Sequence, residues 1–154
     1  GEWAMLAVYA AYGALLARHD IREKRLPDAL NLTLAAILTG AALALALTTG
    51  AGMAAVTAIA GGVGLAVVMG CIGLAGQVGF GDVKLALSIG LLTGWHTWSL
   101  PLLAITIAYV LALPHAITAA ILRTRGRDIH DLPFGPYMLA GGAAAAVAAA
   151  ALSL

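Results

Sequence analysis

The sequence predicts an all-α, polytopic membrane protein of about six transmembrane helices, and three observations carry that prediction. Of the 154 residues, 62% are hydrophobic and only 10% are charged, whereas a soluble domain carries about 25% charged residues. The mean hydropathy is +1.00. The apolar residues fall in six stretches, and at about 20 residues per crossing the chain has room for six helices with short loops but no sizeable extramembrane domain. All 154 residues therefore read as a single transmembrane domain.

The first stretch, 3–17, is short, and it is not a cleavable signal because no basic segment precedes it and a charged segment follows directly. The opening Gly1-Glu2-Trp3, without a Met, reads as the start of a fragment. The second and third stretches, 29–49 and 53–75, are each long enough to cross. Gly61, Gly62, Gly64, Gly70, Gly73 and Gly76 in the third predict close helix contacts. The fourth, 83–93, is weakly delimited, since the following Gly-Trp-His-Thr-Trp-Ser suits either a helix end or a loop. The fifth, 100–122, and the Ala-rich sixth, 134–154, complete the set. Cys71, the single cysteine, lies in an apolar run and can make no internal disulfide.

Every basic residue lies on one predicted side. Arg18, Arg22, Lys24 and Arg25 fall between stretches one and two, Lys84 between three and four, and Arg123, Arg125 and Arg127 between five and six. The positive-inside rule makes that side cytoplasmic, with both termini outside and Trp3, Trp95 and Trp98 at the outer interface. Asp20, Glu23, Asp28, Asp82, Asp128 and Asp131 share the basic side, and only Glu2 does not. Any chemistry is therefore expected at the cytoplasmic face of the cell membrane. The net charge of +1 gives no reason to expect a nucleic-acid partner.

The most informative segment is Gly76-Gln77-Val78-Gly79-Phe80-Gly81-Asp82-Val83-Lys84-Leu85. A Gly-rich turn delivers one carboxylate to the start of an apolar helix. Asp82 has three readings: a helix N-cap, a catalytic carboxylate whose glycine neighbours leave room for a substrate backbone, or an ion site in a transporter. Asp28 follows Pro27 and precedes an apolar run, so it reads as the N-cap of the second helix. Asp20 has no such role, because a helix C-terminus disfavours a carboxylate. Packing of helices one and four would bring Asp20 and Asp82 together, and a close pair shares a proton because it cannot easily hold two negative charges. Such a pair activates water for attack on an amide carbonyl without metal or cofactor. Lys84 reads as an interface anchor or a charge screening Asp82, and Phe134-Gly135-Pro136-Tyr137 as an ordinary helix start. His96 and His115 read as remote from the pair, and His130 as a solvated loop residue.

Asp20 with Arg25-Leu26-Pro27-Asp28, then Gly79-Phe80-Gly81-Asp82-Val83-Lys84-Leu85, then Pro133-Phe134-Gly135-Pro136-Tyr137, resembles the type IV prepilin peptidase family of GxGD membrane aspartyl proteases. The three motifs stand in family order over nearly the whole chain. The resemblance implies that Asp20 and Asp82 are the catalytic dyad, and that Gly79, Gly81, Lys84, Phe134, Gly135, Pro136 and Tyr137 support the active site. The implied partners are the lipid bilayer and a prepilin-like precursor, cut behind its basic leader at the cytoplasmic face. Presenilin-type proteases resemble the chain only at the second aspartate, since His19 precedes Asp20 and no Pro-Ala-Leu segment is present. Bifunctional prepilin peptidases carry an amino-terminal methylating domain with paired CxxC motifs, which one cysteine cannot supply. The resemblance is therefore to the cleavage-only members, or to the peptidase half of a longer enzyme. Two rivals from other classes are a small proton-coupled transporter with Asp82 as its ion site and a structural subunit of an assembly machine.

Overall fold

The computed structural model describes residues 1–23, 27–75, 79–127 and 133–152. Lys24, Arg25, Leu26, Gly76, Gln77, Val78, Asp128, His130 and Asp131, which entered the motif and topology readings, lie outside the described residues. The described residues form six helices: α1 (Glu2–Glu23), α2 (Asp28–Thr49), α3 (Gly52–Leu74), α4 (Phe80–Gly94), α5 (Leu100–Thr124) and α6 (Gly135–Leu152). By length and composition, α2, α3, α5 and α6 are apolar enough to cross a membrane. The chain is a multi-pass, all-helical membrane protein.

Helix α1 outruns its apolar stretch and continues through Asp20 to Glu23. Arg22 in its last turn suits the negative end of the helix dipole. Helix α2 ends at Gly50, whose φ of 73° is the left-handed conformation that closes a helix without a Cβ clash. At its start the N-cap is Pro27, with no side-chain cap bond, and Asp28 is the first helical residue. Asp28 is thus a first-turn acid and not the N-cap that its position after Pro27 predicts. Proline's extended ψ of 123° turns the chain into the helix one residue earlier.

Helix α4 is the hub, for it touches all five other helices. Fifteen residues at 1.5 Å each make it about 22 Å long, short of the ~30 Å hydrocarbon core. Ringed by longer helices, it needs no full spanning length, because its neighbours meet the lipid. Its residues from Leu85 to Gly94 are buried apart from half-buried Leu87. The short turn after Gly94 leads through half-buried Trp95 and exposed Trp98 to α5.

Lipid tails provide no hydrophobic force between helices, so close packing must come from small residues. A Cβ on Gly90 of α4 would collide with the backbone of Gly61 and Gly62 of α3. A Cβ on Gly94 would lie 2.7 Å from the Thr57 carbonyl oxygen. The same device joins α6 to α5, where Gly141 meets the backbone of Ala104 and Ala108. Gly64, by contrast, faces open space. Between α1 and α6, the buried Tyr9 hydroxyl donates to the Leu139 carbonyl at 3.1 Å. Trp3, Leu6, Leu92, His96, Ala146 and Ala150 line a small cavity where the start of α1 meets the ends of α4 and α6. That end of the bundle is opposite Asp20.

Gly90→Ala should destabilise the bundle by about 1–3 kcal/mol through overpacking, whereas Gly64→Ala should change it by less than about 0.5 kcal/mol. Unfolding of both variants by sodium dodecyl sulfate in mixed micelles measures the difference, and equal effects would refute the close-packed α3–α4 seam.

Candidate active site

Asp82 stands in the first turn of α4. Gly79 is the N-cap, in extended conformation with φ −71° and ψ 148°, and it offers no side chain to the helix start. The Asp82 N–H donates to the Gly79 carbonyl at 3.0 Å, and the Asp82 carboxyl in return accepts from the Gly79 backbone N–H. That is the returning half of a capping box, in which a third-position acid reaches back to the N-cap. Capping therefore describes part of what Asp82 does, but from the third helical position. Glycine's freedom at positive φ is not used at Gly79. A Cβ there would stand 3.8 Å from Asp82 Oδ2, an ordinary van der Waals contact.

Asp20 is 7% exposed. Its Oδ2 accepts a hydrogen bond of 3.1 Å from the backbone N–H of Gly135, the first residue of α6. The carboxylate that the end of its own helix disfavours is received by the positive end of another. Pro136 follows, lacking an N–H where a helix start has no intrahelical use for one.

Both acids lie outside the apolar stretches, in end turns of their helices. Burial raises the Asp20 carboxyl above its ordinary range, against the opposing Gly135 bond. At Asp82, burial acts first and the negative charge of Asp20 second, and together they overcome the Gly79 bond and push the carboxyl up to about 6. Each carboxyl is thus drawn toward its ionised form by one glycine N–H and toward its protonated form by burial. Asp20 and Asp82 are within electrostatic reach of one another.

The remaining residues expected at the site divide. The Phe134 ring packs on Tyr109 of α5 with centroids 4.9 Å apart, and Tyr109 is within electrostatic reach of Asp82. The segment at the start of α6 thus meets Asp20 through Gly135 and approaches Asp82 through Phe134 and Tyr109. The Tyr137 hydroxyl instead shares a 2.8 Å hydrogen bond with His115 Nδ1, at the exposed α5–α6 seam. Lys84 Nζ lies 2.6 Å from Asp28 Oδ1. The Gly81 carbonyl accepts from Asn31 Nδ2 at 3.2 Å.

Asn31 and Tyr109 escaped the sequence reading. Asn31 had a signal, since an amide inside an apolar stretch is a functional candidate by default. It is fully buried, and its Oδ1 has no partner among the described residues, a loss of about 1–3 kcal/mol for a buried polar group. Tyr109 carried no signal, because an aromatic in an apolar helix is ordinary. Among the described residues, no group of three or more His, Cys, Asp or Glu side chains converges as a metal site requires.

Fold and site together define a helical membrane protein with one buried and one half-buried carboxyl within electrostatic reach of one another at one end of the bundle. Residues 7–117 match the model of the type IV leader peptidase family, and the chain belongs to that family. Asp20 and Asp82 lie within the matched residues, and Gly135 lies beyond them. The chain is 38% identical over 66 residues to a protein of Salmonella typhimurium named Leader peptidase HopD, the match covering 42% of this chain and 40% of that one. It is 31% identical over 65 residues to a protein of the same name from Escherichia coli, with the same coverages. The aligned part thus spans about two-fifths of the curated relatives' length. No solved structure matches the chain.

A carboxyl raised from 3.8 to about 6 is at odds with the fold wherever it is ionised. The stability tied to its protonated form is complete below pH ~4 and is lost as pH rises through ~6. Asp82→Asn should therefore strengthen the fold at pH 7.5 by on the order of 2 kcal/mol, and the two proteins should converge near pH 4. Thermal unfolding in detergent across that range checks it, and a variant no more stable than wild type at pH 7.5 would refute the strained carboxyl.

Proposed function

We propose that the protein is an aspartic endopeptidase that removes the basic leader of type IV prepilin-like precursors at the cytoplasmic face of the cell membrane. The observation that carries the reading is the pair of carboxyls, each bonded to a glycine N–H and close enough that the charge of Asp20 resists ionisation of Asp82. Such a pair holds one proton between its members as the second ionisation is suppressed. Water held between them gives a proton to the ionised carboxylate as its oxygen attacks the scissile carbonyl carbon. The protonated partner donates to the carbonyl oxygen, the tetrahedral intermediate collapses, the C–N bond breaks, and the leaving amine takes up a proton. No metal or cofactor enters this scheme.

Family membership supports the reading, and so do the names of the relatives, which are leader peptidases. The basic residues Arg18, Arg22, Arg123, Arg125 and Arg127 are exposed, and the positive-inside rule sets their side toward the cytoplasm. The precursor's apolar helix would run in the bilayer while its scissile bond meets the dyad. A transporter's coupling carboxylate is expected near the midplane with access from either side, whereas both acids here stand in the end turns of their helices.

Purified protein in proteoliposomes should cleave a precursor bearing a basic leader ahead of an apolar helix. Asp20→Asn and Asp82→Asn should each lower the rate by at least about 10²-fold. Wild-type kcat/KM should decline as pH rises through about 6, where the shared proton is lost. Full activity in either variant would sink the dyad, and a folded wild type that cleaves nothing would sink the peptidase reading.

A further inference from the structure

We propose that the first turn of α2 positions Asp82, with Asn31 fixing the carbonyl of Gly81 and Asp28 holding the Lys84 ammonium away from the Asp82 carboxyl. The step it serves rests on the peptidase reading above. Asp28 and Asn31 are three residues apart in α2, so they share a face of that helix. Their partners, Gly81 and Lys84, are three apart in the first turn of α4 and bracket Asp82. One contact is a hydrogen bond of 3.2 Å and the other an ion pair of 2.6 Å. Two helices are thereby joined at two points, one on each side of the carboxyl-bearing residue.

The two contacts differ in kind. Asn31 is wholly buried, and with its Oδ1 unpartnered among the described residues packing alone gives no reason for an amide there. Its donated bond holds the turn in which Gly79 meets the Asp82 carboxyl. The ion pair is exposed, at 65% for Asp28 and 34% for Lys84, and a pair of that kind adds little to stability. Its consequence is the placement of a charge. Lys84 is two residues from Asp82 on a flexible stem, and an ammonium drawn to Asp82 would favour its ionised form and abolish the shared proton.

Other groups around Asp82 are Asp20 from α1, Tyr109 from α5 and, across the pair, the Gly135 N–H of α6. Helix α3 brings no charged side chain. Among the described residues named around Asp82, Lys84 is the one cationic group.

The test is a titration of the Asp82 carboxyl by infrared spectroscopy on the full chain in detergent, its band assigned by loss in Asp82→Asn. Cleavage of a basic-leader precursor is followed in parallel. Asp28→Asn should lower the Asp82 midpoint by about one pH unit, a tenfold change in proton affinity. Adding Lys84→Gln to that variant should return the midpoint to the wild-type value. Asn31→Leu should instead raise the midpoint, because the Gly79 N–H that favours the ionised carboxyl is no longer held to it, and should reduce kcat at least tenfold while KM stays within twofold. Lys84→Gln should not correct it. Unchanged midpoints in folded Asp28→Asn and Asn31→Leu would overturn the proposal, as would failure of Lys84→Gln to restore Asp28→Asn. If Asn31→Leu does not fold, the exposed Asp28 and Lys84 substitutions decide the matter alone. If the wild type cleaves no precursor, the peptidase reading falls, and the titration still judges the positioning role.

Discussion

A carboxyl group taken out of water at the end of a helix bundle needs donors that the protein itself must supply, and two helix starts supply one each. Helix α6 begins with an N–H that has no intrahelical partner, and Asp20 accepts it. Helix α4 begins likewise, and Asp82 turns back to the N–H of Gly79. Each acid satisfies a helix terminus and each terminus makes an acid tolerable inside. This reciprocity explains why α1 continues as helix beyond its apolar stretch. Asp20 must extend past Ala17 to reach the level at which α6 starts.

The arrangement depends in turn on the immobility of α4. A hub helix shorter than the bilayer core is held by contact with other helices and not by lipid. Those contacts are of the kind that survives without a hydrophobic force, backbone against backbone at Gly61, Gly62 and Gly90, and again at Gly141 with Ala104. A seam of that type tolerates no added methyl and so permits little sliding. The first turn of α4, about two turns from Gly90, inherits that fixity.

Much of this was legible because charge is conspicuous in so apolar a chain. Asp20 and Asp82 stood out as acids at membrane boundaries, and Gly79, Gly135 and Phe134 followed from motifs that the structure brings around them. What stayed hidden was pairing across helices. Lys84 has no sequence neighbour that announces Asp28, and the donor to Gly81 lies fifty residues away in Asn31. Capping at Asp28 was misjudged because a cap depends on the residue at which the turn begins, and that residue is Pro27. His115, read as remote from the pair, bonds Tyr137, a contact set by the α5–α6 seam and not by either residue's surroundings in the sequence. Six apolar stretches foretold six helices, and among the described residues four of them have the length and composition of a crossing. For α1 the charges of its last turns dilute the pattern, and for α4 burial among neighbours replaces length.

The two acids are not equivalent, although each has burial and a glycine N–H. Burial raises both, Asp82 to about 6 with the charge of Asp20 as the second cause, and their donors differ, the Asp20 donor coming from another helix and the Asp82 donor from the cap of its own. The N–H of Gly135 favours an anion on Asp20 and that of Gly79 an anion on Asp82, so the shared proton belongs to the pair as a whole. In the proposed hydrolysis the base is whichever member of the pair is ionised and the acid is its protonated partner. An opposite charge beside Asp82 would favour its ionised form, and Lys84, two residues further along the chain, is engaged by Asp28.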